Sequence, residues 1–197
     1  MARTVDPARH RARRLQIIDA ALTRFSEDGF DRATTTAICR TAGIGSGTFF
    51  HYFPTKTAVL LAVLEEGTAE TEEWFAARKG SAEPARVVLE YAEHHALQCA
   101  DPRVPGFVRS VGAIANDAEV AVALERDEEV IRQGLEPLIA AAAGRGQVRS
   151  DQPAERLAVW VGVLLDGYIS RVAGQGRFDH PAERAMLLDA VTRLLRP

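Results

Sequence analysis

The side chains best equipped for chemistry stand side by side at His94 and His95, with carboxylates nearby at Glu90 and Glu93. The pair invites a metal reading, but neighbouring residues on a helix point about 100° apart, which tells against it. No third ligand stands at a fixed spacing from them. The two thiols, Cys39 and Cys99, are far apart and lack metal-type spacing, a usage that fits a reducing compartment and no disulfide framework. Nucleophile motifs and phosphate-binding glycine loops are absent. The expectation is a chain that is not an enzyme, carries no cofactor and holds no metal.

A second kind of chemistry, hydrogen bonding at close quarters, is concentrated between Thr34 and Lys56, in TTTAICRTAGIGSGTFFHYFPTK. Thr34 or Thr35 offers a hydroxyl cap for a short helix whose apolar face is Ala37, Ile38 and Ala42. A turn follows at Ala42-Gly43-Ile44, where Gly43 is free to take a positive φ. From Gly45 to Tyr52 a second short helix presents Ser46, Gly47 and Thr48 at its start, with Phe49, Phe50 and Phe53 as anchors from behind. Small residues let a backbone approach the major groove, and a few donors then reach base edges. This is the build of a helix-turn-helix.

The run Gly47-Thr48-Phe49-Phe50-His51-Tyr52-Phe53-Pro54-Thr55-Lys56, preceded by Ala42-Gly43-Ile44, resembles the DNA-binding head of the TetR family of bacterial transcriptional regulators over about Arg14 to Leu64. By that resemblance the base-edge candidates are Thr36, Ser46, Thr48 and His51, with Gly45 and Gly47 permitting close approach. Phosphate contacts fall to Thr35, Tyr52 and Lys56, the last helped by the N-terminal dipole of the helix it opens. Two positions depart from the family pattern. A tyrosine is usual where Phe50 stands, and a serine is frequent where Gly45 stands. Cys39, where the family favours alanine, reads as a small buried apolar residue.

Composition is that of an ordinary globule, with 47% hydrophobic and 26% charged residues in 197, enough apolar material for a core. No apolar run is long enough to span a bilayer, and the arginine-rich start lacks the apolar run of a signal peptide. A cytoplasmic protein with no membrane partner is expected. The net charge of −3 conceals a split: residues 1–56 carry nine bases and five acids, and the rest carries fifteen and twenty-two. A basic head on an acidic body directs DNA to the head.

The elements that must position these groups follow from periodicity. Residues 1–8 read as a flexible arm, and a first helix runs from about Arg9 to Glu27 on Leu15, Ile18, Leu22 and Phe25, its arginines facing DNA. After Pro54 a fourth helix runs to about Lys79, and a fifth from Pro84 to Asp101. A short helix follows Pro105-Gly106, then a long one from about Asp117 to Ala143 with a kink at Pro137. The segment Pro153–Ala173 is apolar around nearly its whole circumference, so it must be buried on several sides. The last helix, Asp179–Leu195, has one apolar face.

The expected fold is all-α, about nine helices, with a DNA-binding head at 1–54 and an effector-binding and dimerisation body at 55–197. Two helices from each of two chains would form a four-helix homodimer interface, through Leu164, Leu187, Val191 and Leu194. Candidate effector-pocket residues are Trp74, Tyr91, His94, His95, Phe107, Arg109 and Trp160. An inward Arg109 would favour an anionic effector; an outward one is a solvated charge. The expected function is a ligand-responsive transcriptional regulator, most often a repressor in the family, that binds a palindromic double-stranded DNA operator and is released by a small molecule. A helical small-molecule-sequestering protein with sequence-blind DNA binding is the alternative.

Overall fold

The computed structural model describes residues 6–174 and 176–197. Among the described residues the chain has nine helices and no strand: α1 (Pro7–Asp28), α2 (Thr35–Thr41), α3 (Ser46–Tyr52), α4 (Lys56–Ala76), α5 (Pro84–Gln98), α6 (Val104–Ala113), α7 (Ala118–Gly144), α8 (Ala154–Ala173) and α9 (His180–Leu195). The expected all-α class is what the chain adopts. It divides into two compact units, Met1–Gly67 with Gly106–Ala123, and Thr68–Pro105 with Leu124–Pro197. None of the described helices is long and apolar enough to cross a membrane.

In the first unit, α1 starts ahead of the expected Arg9. Asp6 caps it by accepting from the Ala8 N–H at 3.0 Å, and Pro7 takes the first helical position, where its missing N–H costs nothing. Residues 1–5 of the expected arm lie outside the described residues. The helix stops at Gly29, whose φ of 77° few other residues tolerate and whose N–H returns to the Phe25 carbonyl at 3.1 Å. Ile17, Ala21, Phe25, Ile38, Phe49, Val59 and Leu60 make the buried centre of this unit.

Pro105 and Gly106, expected to precede the short helix, lie in the first turn of α6 instead, a position that tolerates proline. Gly106 is pressed against the end of α1. A β-carbon added there would stand 2.1 Å from the Ser26 carbonyl oxygen. One turn on, the buried Ser110 hydroxyl donates to the Phe25 carbonyl at 2.6 Å.

The second unit has its own core, in which Tyr91, Leu135, Ile139, Val161, Leu165, Leu187 and Val191 are buried together. Gly134 of α7 faces the Phe75 ring so closely that a β-carbon would come within 2.3 Å of it. Phe75 packs in turn at a tilt against Tyr91, centroids 4.4 Å apart. The last two helices correct one expectation. Leu187 and Val191, expected at a dimer interface, are only 6% and 0% exposed and belong to the core of their own chain. The large apolar side chains that α8 and α9 leave exposed are Val159, Trp160, Val163 and Met186. Leu164 and Leu194 are partly buried against the core.

Candidate nucleic-acid interface

The helix-turn-helix geometry arises from three local devices. Thr34 accepts from the Ala37 N–H at 3.1 Å and caps α2. Gly43 turns the chain with φ 62°. Thr55 accepts from the Ala58 N–H at 2.9 Å and caps α4. The Gln16 side chain donates to the Ala42 carbonyl at 2.8 Å and ties α1 to the turn. As expected, Gly45 precedes α3 without a side-chain cap.

On α3, Phe49 and Phe53 are buried, and this fixes which way the rest of the helix looks. Ser46, Gly47, Thr48, Phe50 and His51 are all exposed. Phe50 therefore does not anchor the helix from behind as expected. It lies about 100° around the helix from Phe49, is 53% exposed, and touches Phe49 edge-on at 5.3 Å. A β-carbon at Gly45 or Gly47 would meet nothing within 4 Å, so both leave the backbone open to a close neighbour. Thr36 is exposed and Thr35 half-buried on α2.

Lys56 and Tyr52 are engaged within the unit. The Lys56 ammonium donates to the Phe30 carbonyl at 2.6 Å and the Asp31 carbonyl at 3.3 Å, and stands 4.3 Å from the centre of the Phe30 ring. It holds the loop after α1 in place. The Tyr52 ring packs at a tilt against His10, centroids 4.6 Å apart, and His10 lies 6.3 Å from His51. His10 is a neighbour of this surface that periodicity could not nominate, because it comes from the far end of α1. Of the arginines expected to face DNA, Arg14 is paired with Glu66 at 2.5 Å and lies over the Phe53 ring. It braces α1 against α4 rather than pointing outward. Arg9 and Arg11 are exposed.

The structure does not gather the seven pocket candidates. Phe107 and Arg109 belong to the first unit, the other five to the second. Arg109 is exposed and lines a cleft of about 370 Å³ whose other charged residues are Glu27, Asp28, Asp31 and Arg32. Trp160 is 53% exposed. Trp74, Tyr91 and His94 do meet: Trp74 lies 5.1 Å from Tyr91 and stacks on His94 at 5.5 Å, with the Arg78 guanidinium 3.7 Å from the Trp74 ring. Burial, then the Arg78 charge, lowers the His94 pKa.

His95 is engaged with the backbone of Leu165, while its Nε2 is buried without a partner among the described residues. Burial pushes its pKa down to about 4, and burial pushes the Cys99 thiol up to about 12, leaving that thiol unreactive. Asp127, bonded by the Thr68 hydroxyl at 2.8 Å, has its pKa raised by burial, and Asp166 by burial and then by Glu128 and Asp127. No group of three His, Cys, Asp or Glu among the described residues is placed to hold a metal ion.

The His95 shift predicts a pH dependence. The folded imidazole stays neutral down to about pH 4, whereas in the unfolded chain it takes up a proton below about 6.5. The unfolded state binds more protons in that window, so stability falls as pH drops from about 6.5 to 4, by up to roughly 3 kcal/mol. The raised carboxyls of Asp127 and Asp166 act in the opposite sense, gaining stability as pH falls through their folded pKa values. The check is urea denaturation at pH 7 and pH 4.5 for the natural chain and for His95→Gln. The variant should lose much of the acid destabilisation; equal slopes for the two would refute the assignment.

Residues 17–63 match the family model of the bacterial regulatory proteins, tetR family. The chain is 26% identical over 185 residues to the HTH-type transcriptional repressor AcnR of Corynebacterium diphtheriae, covering 94% of each. It is 29% identical over 195 residues to an HTH-type transcriptional repressor of Mycobacterium tuberculosis, again covering 94% of each. Among solved structures, a TetR transcriptional regulator from Streptomyces coelicolor superposes with a TM-score of 0.66 at 28% identity, covering 93% of this chain and 98% of that one.

Proposed function

Because the chain belongs to the TetR family of bacterial regulatory proteins, we propose that it is a transcriptional repressor that binds a palindromic operator as a homodimer and is released by a small-molecule effector. The observation that carries this reading is the outward face of α3, where Ser46, Gly47, Thr48 and His51 are exposed beside open backbone while Phe49 and Phe53 are buried. Thr36, Ser46, Thr48 and His51 read base edges, Gly45 and Gly47 permit approach, and Thr35, Tyr52 and Lys56 serve phosphates. For Lys56 that role comes on top of its hold on the Phe30 carbonyl. The functional division is a head at 1–54 and a body at 55–197.

Dimerisation is assigned to α8 and α9, through Val159, Trp160, Val163 and Met186 with Leu164 and Leu194 at the margin. A run of exposed apolar side chains of this size on two helices needs a cover, and a two-fold pair of heads reads successive half-sites. The effector meets the body around Trp74, Tyr91, His94 and His95. An effector can release DNA only if it binds the DNA-incompetent state more tightly than the other. The protein acts in the cytoplasm, without a cofactor and without catalysis.

Selection from a random duplex pool by the purified, ligand-free protein at near-physiological salt tests the reading. A palindrome is the expected product. Salt-labile, sequence-blind binding would instead favour a sequestering protein. On the recovered operator, His51→Ala should change which bases are preferred, whereas Lys56→Ala should weaken all DNA binding and lower the salt slope by about one. The unfolding midpoint of Lys56→Ala should fall as well, because the loop after α1 loses its clamp. Equal losses on specific and random DNA for both variants would defeat the division of roles. Trp160 fluorescence should shift to the blue as concentration rises through the dimer dissociation constant.

A further inference from the structure

We propose that Phe50 is a sequence-reading residue that recognises a thymine in each half-site by packing its ring on the C5-methyl group. The proposal rests on the reading of α3 as the recognition helix and adds to it a base and a contact. Phe50 is the one large apolar side chain among the exposed residues of α3. Its neighbours on that face are small or polar: Ser46 lies one turn before it and Gly47 three residues before it, so little competes with the ring for space. A helical side chain leans over the preceding turn, which here ends in the open backbone of Gly45 and Gly47. The ring is also held in place, edge-on against the buried Phe49 at 5.3 Å.

The chemistry of the ring selects the target. Phenylalanine has no hydroxyl with which to donate to a phosphate, and it can neither donate to nor accept from a base edge. What it offers is apolar surface that water covers in the free protein. In the major groove the apolar group that differs between bases is the thymine methyl, and apolar contact with it is an established means of readout. A half-exposed phenyl ring on a surface otherwise built for hydrogen bonding is accounted for by such a contact.

The test starts from the duplex recovered by random-pool selection. Each symmetric pair of thymines is replaced in turn by deoxyuridine, which removes only the methyl groups, and affinity is measured for the natural protein, Phe50→Ala and Phe50→Leu. One pair should cost the natural protein roughly threefold to fivefold per half-site, the scale of one buried methyl group. The same substitution should cost Phe50→Ala nothing further, and Phe50→Leu should retain part of the sensitivity. Because Phe50 is exposed, both variants should match the natural chain in circular dichroism. Indifference of the natural protein to every deoxyuridine pair overturns the proposal alone, as does an undiminished penalty in Phe50→Ala. A pool that yields no preferred sequence overturns the recognition-helix reading and this proposal with it.

Discussion

Gly106→Ala should destabilise the protein by about 3 kcal/mol or more, the upper range for a forced overpacking. The sign is informative, because alanine in a helix is ordinarily favoured over glycine by about 1 kcal/mol. At Gly106 the added carbon would stand 2.1 Å from the Ser26 carbonyl oxygen and 2.7 Å from its carbon. These are backbone atoms and cannot rotate away. Helix α6 would have to lift from the end of α1, and the 2.6 Å bond from Ser110 to the Phe25 carbonyl would lengthen or break. Ser110→Ala, which removes that bond without adding bulk, should cost less, about 1–2 kcal/mol. Urea denaturation of the three proteins checks the order. A Gly106→Ala chain as stable as the natural one would mean that the close packing of α6 on α1 is not a feature of the folded protein.

Gly47→Glu should separate folding from DNA binding. Gly47 is exposed in the first turn of α3, and a β-carbon there meets nothing within 4 Å. A glutamate relieves the glycine penalty of about 1 kcal/mol and places negative charge at a helix N-terminus, where the dipole favours it. The thermal midpoint should stay level or rise. Operator affinity should fall by at least about 100-fold, since a carboxylate against phosphates or base edges costs several kcal/mol and the bulk holds the backbone away. Gly47→Ala should fall between the two, adding no charge and losing only the close approach. Operator affinity within about threefold of the natural protein for Gly47→Glu would remove α3 from the interface, because a negative charge introduced at a true contact cannot be so mild.

What the sequence made legible was decided by distance along the chain. The cap at Thr34, the turn at Gly43 and the order of the helices are local events, written in residues a few positions apart. The cap at Asp6 is equally local, with Pro7 beside it, and it starts α1 ahead of the arginine run. The three phenylalanines in and just after α3 show where local reading stops: Phe49 and Phe53 share a face, whereas Phe50, of the same residue type, lies about 100° from Phe49. The same holds for α9. Leu187 and Val191 are one turn apart and share an inward face, while Met186 looks outward. An apolar periodicity identifies a covered face without saying whether the cover is the same chain or another. The engagements of Arg14 with Glu66 and of Lys56 with the Phe30 carbonyl join residues distant in sequence, and no spacing rule reaches them.

The Phe25 carbonyl accepts from two directions, from the Gly29 N–H at 3.1 Å and from the Ser110 hydroxyl at 2.6 Å. Two donors on one oxygen share its lone pairs, so the magnetic environment of the Gly29 amide proton depends on whether α6 is docked. That proton is a built-in spectroscopic probe. In a heteronuclear correlation spectrum the Gly29 resonance should move in Ser110→Ala. Its exchange with solvent deuterium should follow the opening of the α1 terminus rather than global unfolding, giving a single-residue readout of a joint that denaturation measurements see only in sum.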